Sequence, residues 1–263
     1  MTRLLEGKNI VVYGAGGGVG RGVARTFARE GARVFLAGRS RAPLERLADA
    51  IADYGGRAEL AVLDALDERA VQEHARGIVE RAGSLDVSFN LVSRGDVQGI
   101  ALADMSLADF LAPVTTGLTT TFITARTAAR QMIEQGSGVI LSLTSGTSSA
   151  AASMMGGTGP ADAATEVYLR SLAAETGPHG VRVVGIWTAG VPETFGLEDD
   201  ANPSRLGTGM SAEDIERVLG PMTMLGHAPR LQDLAETAAF LASDCAGSIS
   251  GTIVNVTCGL VAP

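Results

Sequence analysis

A run of glycines, Gly14, Gly16, Gly17, Gly18 and Gly20, with Val19 inside it, stands between the β-branched segment Asn9–Tyr13 and an amphipathic helical pattern. Backbone without Cβ atoms at a strand-to-helix turn lets a diphosphate approach closely, and the free N–H groups of the helix N-terminus meet its charge. Gly14, Gly18 and Gly20 satisfy Gly-x-x-x-Gly-x-Gly; counted as Gly-x-Gly-x-x-Gly from Gly14, the sixth position is Val19 and that pattern fails. The second strand ends in Gly38-Arg39-Ser40-Arg41. An acidic residue there would hold the adenosine ribose of NAD, whereas arginine suits a 2′-phosphate, so Arg39 and Ser40 favour NADP(H) over NAD(H). Asp64, closing the third strand, either accepts from an adenine amino group or is an exposed loop carboxylate with no role in binding. Asn90, in the fourth, either holds backbone near the cofactor or is a satisfied core amide. Lys8 is the sole lysine, so a mechanism needing a lysine later in the chain has none to use.

These residues need a scaffold. The chain has 263 residues, 46% of them hydrophobic and 19% charged, enough to build one α/β domain and too apolar for disorder. Short β-branched runs alternate with Ala-rich helical ones, which predicts a doubly wound, Rossmann-like parallel sheet with helices on both faces. Seven strands are expected: Asn9–Tyr13, Arg33–Ala37, Ala58–Leu63, Val87–Val92, Val139–Leu143, Val181–Trp187 and Thr252–Val256. Helices are expected at Val19–Glu30, Arg41–Asp53, Glu68–Ala82, Leu107–Gln135, Ala161–Thr176 and Leu231–Ser243. Residues 190–226, with Pro192, Pro203 and Pro221, form an irregular excursion at a strand's C-terminal end, with a short helical piece at Ser211–Leu219. Such an excursion suits a substrate loop. A net charge of -8 argues against nucleic acid and acidic membrane surfaces as partners. No stretch reads as a signal peptide or membrane span, and Cys245 and Cys258 show no metal-ligand spacing, so buried thiols in the cytoplasm and no metal site are expected.

The chain resembles the short-chain dehydrogenase/reductase family over essentially its whole length. The likeness rests on the glycine turn and on Leu85–Asn90 leading into Asn90-Leu91-Val92-Ser93, where the family has Asn-Asn-Ala-Gly. It rests also on Gly138–Ser145, similar to the strand that delivers the family's active-site serine, and on Leu225–His227, Asp233–Ala235, Phe240–Asp244 and Ile249–Gly251 near the C-terminus. The resemblance implies NAD(P)-linked hydride transfer, with Ser145 at the site and Thr194 among the cofactor contacts. The family usually carries a tyrosine thirteen residues after the serine and a lysine four beyond it. Here those positions hold Thr158 and Asp162, and Gly117 stands where a relay asparagine is usual. Tyr168 lies about ten residues, roughly 15 Å, past the expected place, and reads as a packed helix tyrosine.

Three functions stay open. One is an oxidoreductase with an altered proton group, in which Ser145 and Thr158 donate hydrogen bonds and Asp162 holds the nicotinamide ribose, acts as a general acid, or stabilises a cationic imine acceptor. The second is a nucleotide binder without turnover. The third is a non-redox eliminase or isomerase on the same fold. The family likeness also implies a homodimer or homotetramer paired through Leu107–Gln135, Ala161–Thr176 and the last strand, with a small molecule as substrate. Pro113 is expected to distort the long helix near Gly117.

Overall fold

In a computed structural model, which describes residues 3–150, 152–195 and 205–262, the chain forms one seven-stranded parallel sheet flanked by helices. The elements are β1 (Asn9–Tyr13), α1 (Gly18–Arg29), β2 (Arg33–Gly38), α2 (Arg41–Ala52), β3 (Arg57–Val62), α3 (Glu68–Ala82), β4 (Val87–Asn90), α4 (Leu107–Gln135), β5 (Gly138–Thr144), α5 (Thr158–Thr176), β6 (Val181–Thr188), α6 (Ala212–Leu219), α7 (Leu231–Ala242) and β7 (Thr252–Val256). The strand order is β3-β2-β1-β4-β5-β6-β7. The order reverses between β1 and β4, and a crevice opens beyond the carboxyl ends of strands at such a point.

The central strands are apolar on both faces because both are covered. Ile10 and Val12 enter one core with Val23 and Phe27 of α1 and Leu234 and Ala238 of α7. Val11 and Tyr13 enter the other with Ile78 of α3, Met132 of α4 and Leu169 of α5. Phe27 and Phe89 stack with ring centroids 6.4 Å apart, and burying each such side chain contributes roughly 2–3 kcal/mol. Burial also drives the Tyr13 hydroxyl well above the usual phenol range.

Helix termini separate structural ends from open ones. Asp67 caps α3 by accepting from Ala70, Ser106 caps α4 by accepting from Asp109, and Ser211 and Asp214 form a capping box on α6. At α1 and α2, which follow β1 and β2, no side chain caps the first turn and no acidic residue lies in it.

The differences from the sequence reading are local. β4 ends at Asn90, two residues early, because the Asn90 side chain accepts from the Val92 N–H at 3.2 Å and turns the chain. α5 begins at Thr158, three residues before the expected start. The helix runs unbroken through Pro113. Cys245 is exposed and Cys258 half-buried, so neither is the buried thiol expected; they lie in the irregular segments on either side of β7. Part of the 190–226 excursion, residues 196–204, lies outside the described residues. No helix of the described residues is long and apolar enough to cross a membrane.

Candidate active site

The glycine turn is set by steric closeness. Gly14 adopts φ +76°, and a Cβ there would sit 2.4 Å from the Leu91 carbonyl oxygen. A Cβ on Gly20 would meet the Gly14 carbonyl oxygen at 2.2 Å. The turn therefore brings α1 directly against the end of β1, with Gly17 as an uncapped N-cap and Gly18, Val19 and Gly20 opening the helix. Gly16 lies close to Pro43 at the start of α2, and its carbonyl accepts from Arg21 Nε at 2.7 Å. Arg39 is exposed and makes no hydrogen bond or ion pair among the described residues, unlike Arg41, which pairs with Glu45. The Ser40 hydroxyl makes no cap for α2. A first turn bare of carboxylates beside an unpaired guanidinium is an environment for phosphate.

Other expected cofactor residues are already engaged. Asp64 is exposed and turns its carboxylate to the Leu66 N–H at 2.9 Å. Asn90 donates to Thr121 at 3.0 Å and more weakly to Thr120, and accepts from Val92, which makes it the satisfied amide that ties β4 to α4. Thr194 is buried and donates to its own turn, at the Val191 carbonyl.

At the end of β5 the chain places a row of hydroxyls against α5. Two carboxylates, Asp162 and Glu166, lie one helical turn apart and are 0% and 4% exposed. Asp162 Oδ2 accepts from the Ser145 hydroxyl at 2.6 Å, the Thr147 hydroxyl at 2.8 Å and the Ser145 N–H at 3.1 Å. Glu166 Oε1 accepts from Trp187 Nε1 at 2.7 Å, Ser148 at 2.8 Å and Thr144 at 3.2 Å. A cation enters from the segment after β4: Arg94 Nη1 donates to Asp162 Oδ1 at 2.5 Å, while its Nη2 and Nε fork onto Asp96 at 3.0 and 3.2 Å. Burial lowers the Arg94 pKa, but Asp162 and Asp96 more than reverse this and raise it, so its charge is permanent. The Thr158 hydroxyl donates to Asp96 at 2.8 Å and accepts from Gln98 at 3.1 Å, and Gln98 accepts in turn from the Leu206 N–H at 2.9 Å.

The structure thus gathers Ser145, Thr158 and Asp162 into one network. Thr158 is 1% exposed and turns to Asp96, so its hydroxyl does not face the crevice. Both Asp162 oxygens are covered by donors, which leaves Ser145 and Thr147 between it and any ligand. Glu166 was not identified from the sequence, and Arg94, Asp96 and Thr147 belong to segments, Arg94–Gln98 and Thr147–Gly157, that the sequence suggests only as substrate lining. The signal that could have found the carboxylates is a pair of acids, Asp162 and Glu166, on the stripe of α5 that also carries Ala161, Thr165 and Leu169.

Gly117 explains how Arg94 fits. A Cβ there would lie 2.6 Å from Arg94 Cδ and 3.0 Å from Cγ, so the arginine stem occupies the side-chain space of position 117. Gly117→Ala is expected to cost about 1–2 kcal/mol by overpacking, measured by urea unfolding. In an Arg94→Ala background the same change should be near neutral. Tyr168 packs on Phe122 with ring centroids 5.6 Å apart, and burial pushes its hydroxyl up to about 12, which fits a packing role. Among the described residues, no group of three or more His, Cys, Asp or Glu is placed to hold a metal ion.

A family model described as enoyl-(acyl carrier protein) reductase matches residues 14–261. The chain is 32% identical to L-rhamnose 1-dehydrogenase (NAD(P)(+)) of Azotobacter vinelandii, over 98% of each chain. A solved short-chain type dehydrogenase/reductase from Mycobacterium marinum superimposes with a TM-score of 0.82 at 26% identity, covering 100% of this chain and 98% of that one. The chain belongs to the short-chain dehydrogenase/reductase family. A further relative, 7alpha-hydroxysteroid dehydrogenase of Escherichia coli, is 29% identical over 97% of this chain and 94% of its own. As a short-chain dehydrogenase/reductase, the chain is an oxidoreductase homologue whose relatives use NAD(P) and act on small molecules.

Proposed function

We propose that the protein is an NADP(H)-dependent oxidoreductase acting on a small carbonyl, alcohol or imine, with proton handling that uses no tyrosine–lysine pair. The observation that carries this reading is the conjunction of an uncapped glycine turn at α1 and a hydroxyl-carboxylate network at the end of β5, at the carboxyl ends of two parallel strands, β1 and β5, that flank β4. Gly14, Gly16, Gly17, Gly18, Val19 and Gly20 would hold the diphosphate, Arg39 and Ser40 the 2′-phosphate, and Asp64, Asn90 and Thr194 would line the remainder. The cofactor supplies or accepts the hydride. Ser145 is the catalytic residue that touches the substrate; Asp162 and Thr158 are positioning residues that act through Ser145 and Asp96. Residues 190–195 and 205–226 would lie over the substrate, with Gln98 joining Leu206 to Thr158.

The preference for NADP(H) is tested at Arg39. Loss of one charge-assisted contact is worth about 1.5–3 kcal/mol, so Arg39→Ala should weaken NADPH about ten- to hundredfold in a fluorescence titration and leave NADH within about twofold. Equal losses for both nucleotides would reject the 2′-phosphate assignment. A nucleotide binder without turnover is the second reading, favoured by the burial of Thr158 and Asp162. NADPH binding without oxidation across a panel of ketones and iminium compounds would establish it. The exposed Phe122 and Val167, beside a Tyr168 hydroxyl with no hydrogen-bond partner among the described residues, suit pairing of α4 and α5 between two copies of the chain. Two free cysteines fit a reducing, cytoplasmic setting.

A further inference from the structure

The hydroxyls at the end of β5 have their hydrogens committed inward. Ser145 Oγ, Thr147 Oγ1 and Asp162 Oδ2 form a triangle with edges of 2.6, 2.8 and 3.0 Å. Only two hydroxyl hydrogens serve the three edges. Hydrogen bonds to a carboxylate are the shorter and stronger kind, so the two short edges, both to Asp162, take them. The 3.0 Å edge between Ser145 and Thr147 is left as two oxygens facing each other with lone pairs and no hydrogen between them. Thr144 and Ser148 repeat the pattern, donating to Glu166. Four hydroxyls of one short segment therefore point their hydrogens at α5. Both Ser145 and Thr147 keep partial exposure, whereas Asp162 has none. A ligand at this wall meets acceptors.

The composition of the cluster points the same way. Among the described residues, three carboxyl groups, Asp96, Asp162 and Glu166, gather here with one guanidinium, Arg94, which is held by Asp96 and Asp162. We infer that the wall formed by Ser145 and Thr147 receives a cationic N–H donor, a protonated amine or iminium, which bridges the two oxygens. This rests on the oxidoreductase reading above and names its substrate class. A carbonyl oxygen brought to the same place would face two lone pairs backed by carboxyl groups, and could be accepted only if Ser145 gave up its bond to Asp162. An iminium also removes the need for a proton donor. With NADPH as the hydride source, the new C–H bond forms at the iminium carbon and the C=N π pair returns to nitrogen, which becomes neutral. NADP+ is left, and no proton is transferred.

The test compares three ligands of one ring size: pyrrolidinium chloride, cyclopentanol and cyclopentanone. Each is titrated by calorimetry into the full chain, with and without NADP+, while NADPH binding is followed separately by fluorescence. Pyrrolidinium is expected to bind at least tenfold tighter than cyclopentanone, with cyclopentanol between them. The double variant Ser145→Ala, Thr147→Val should reduce that preference to within about twofold, and unchanged NADPH binding would show that it is folded. A second variant, Asp162→Asn, should lower pyrrolidinium affinity more than cyclopentanol affinity. Cyclopentanone binding as tightly as pyrrolidinium, or a preference that survives the double variant, overturns the inference. A failure to bind NADPH would reject the cofactor reading and leave the ligand comparison intact, so the two outcomes are distinguishable.

Discussion

Arg94→Ala is expected to destabilise the protein by about 3–5 kcal/mol, the range for removing one partner of a buried ion pair. The reason is what remains. Asp162, with no solvent exposure, would lose the donor on Oδ1, and Asp96 would lose both bonds of the guanidinium fork. The Arg94 side chain is itself only 16% exposed, so water does not replace it cheaply. Chemical denaturation at neutral pH measures the loss. The double variant Arg94→Ala, Asp162→Asn should recover part of it, because the fully buried carboxylate is replaced by an amide that still has neighbours to bond, while Asp96 remains without the fork. A single-variant effect below 1 kcal/mol would mean that the cluster is hydrated and that Arg94 does not organise Ser145.

Acid should weaken the fold through His74 on α3. Burial, with a smaller contribution from Arg81 and against an opposing one from Glu59, lowers its pKa to about 4 from 6.5, and its Nε2 is buried without a hydrogen-bond partner among the described residues. The unfolded chain therefore binds a proton that the folded one refuses over the interval between those values. Stability contributed by this group is whole above pH 6.5, declines by about 1.4 kcal/mol per pH unit below it, and is lost by roughly pH 4, a total of about 3 kcal/mol. Urea unfolding of the protein and of His74→Gln at several pH values isolates the effect. The difference between them should change with pH in that window and be flat above it; a difference flat throughout would mean that the imidazole titrates normally in the folded state.

The fold was legible because its signals are local. The bounds of β1, α3, α4 and β7 coincide with those read from periodicity, since Asp67, Gly83, Ser106 and Gly136 mark helix ends through cap chemistry that a sequence displays. β4 and α5 were displaced by side chains acting at a distance: the Asn90 amide, and Asp96 drawing Thr158 into the first turn of its helix. The site divides in the same way. Ser145 and Asp162 could be paired by their spacing across a single strand-to-helix connection. Arg94 lies 68 positions from Asp162 in the chain, and nothing near either residue announces the other. Its clue was an empty place, Gly117, which reads as lost function in sequence and as room for an arginine stem in space.

That room also makes positions 94 and 117 interdependent. The Arg94 stem and any side chain at 117 compete for one volume, so the cost of added bulk on α4 is set by which residue stands at 94. An engineer who wished to place a polar side chain at 117 would have to shorten residue 94 in the same step, and would then leave Asp162 and Asp96 without their shared donor. Packing and charge pairing are thus bound into a single design constraint that spans two distant parts of the chain.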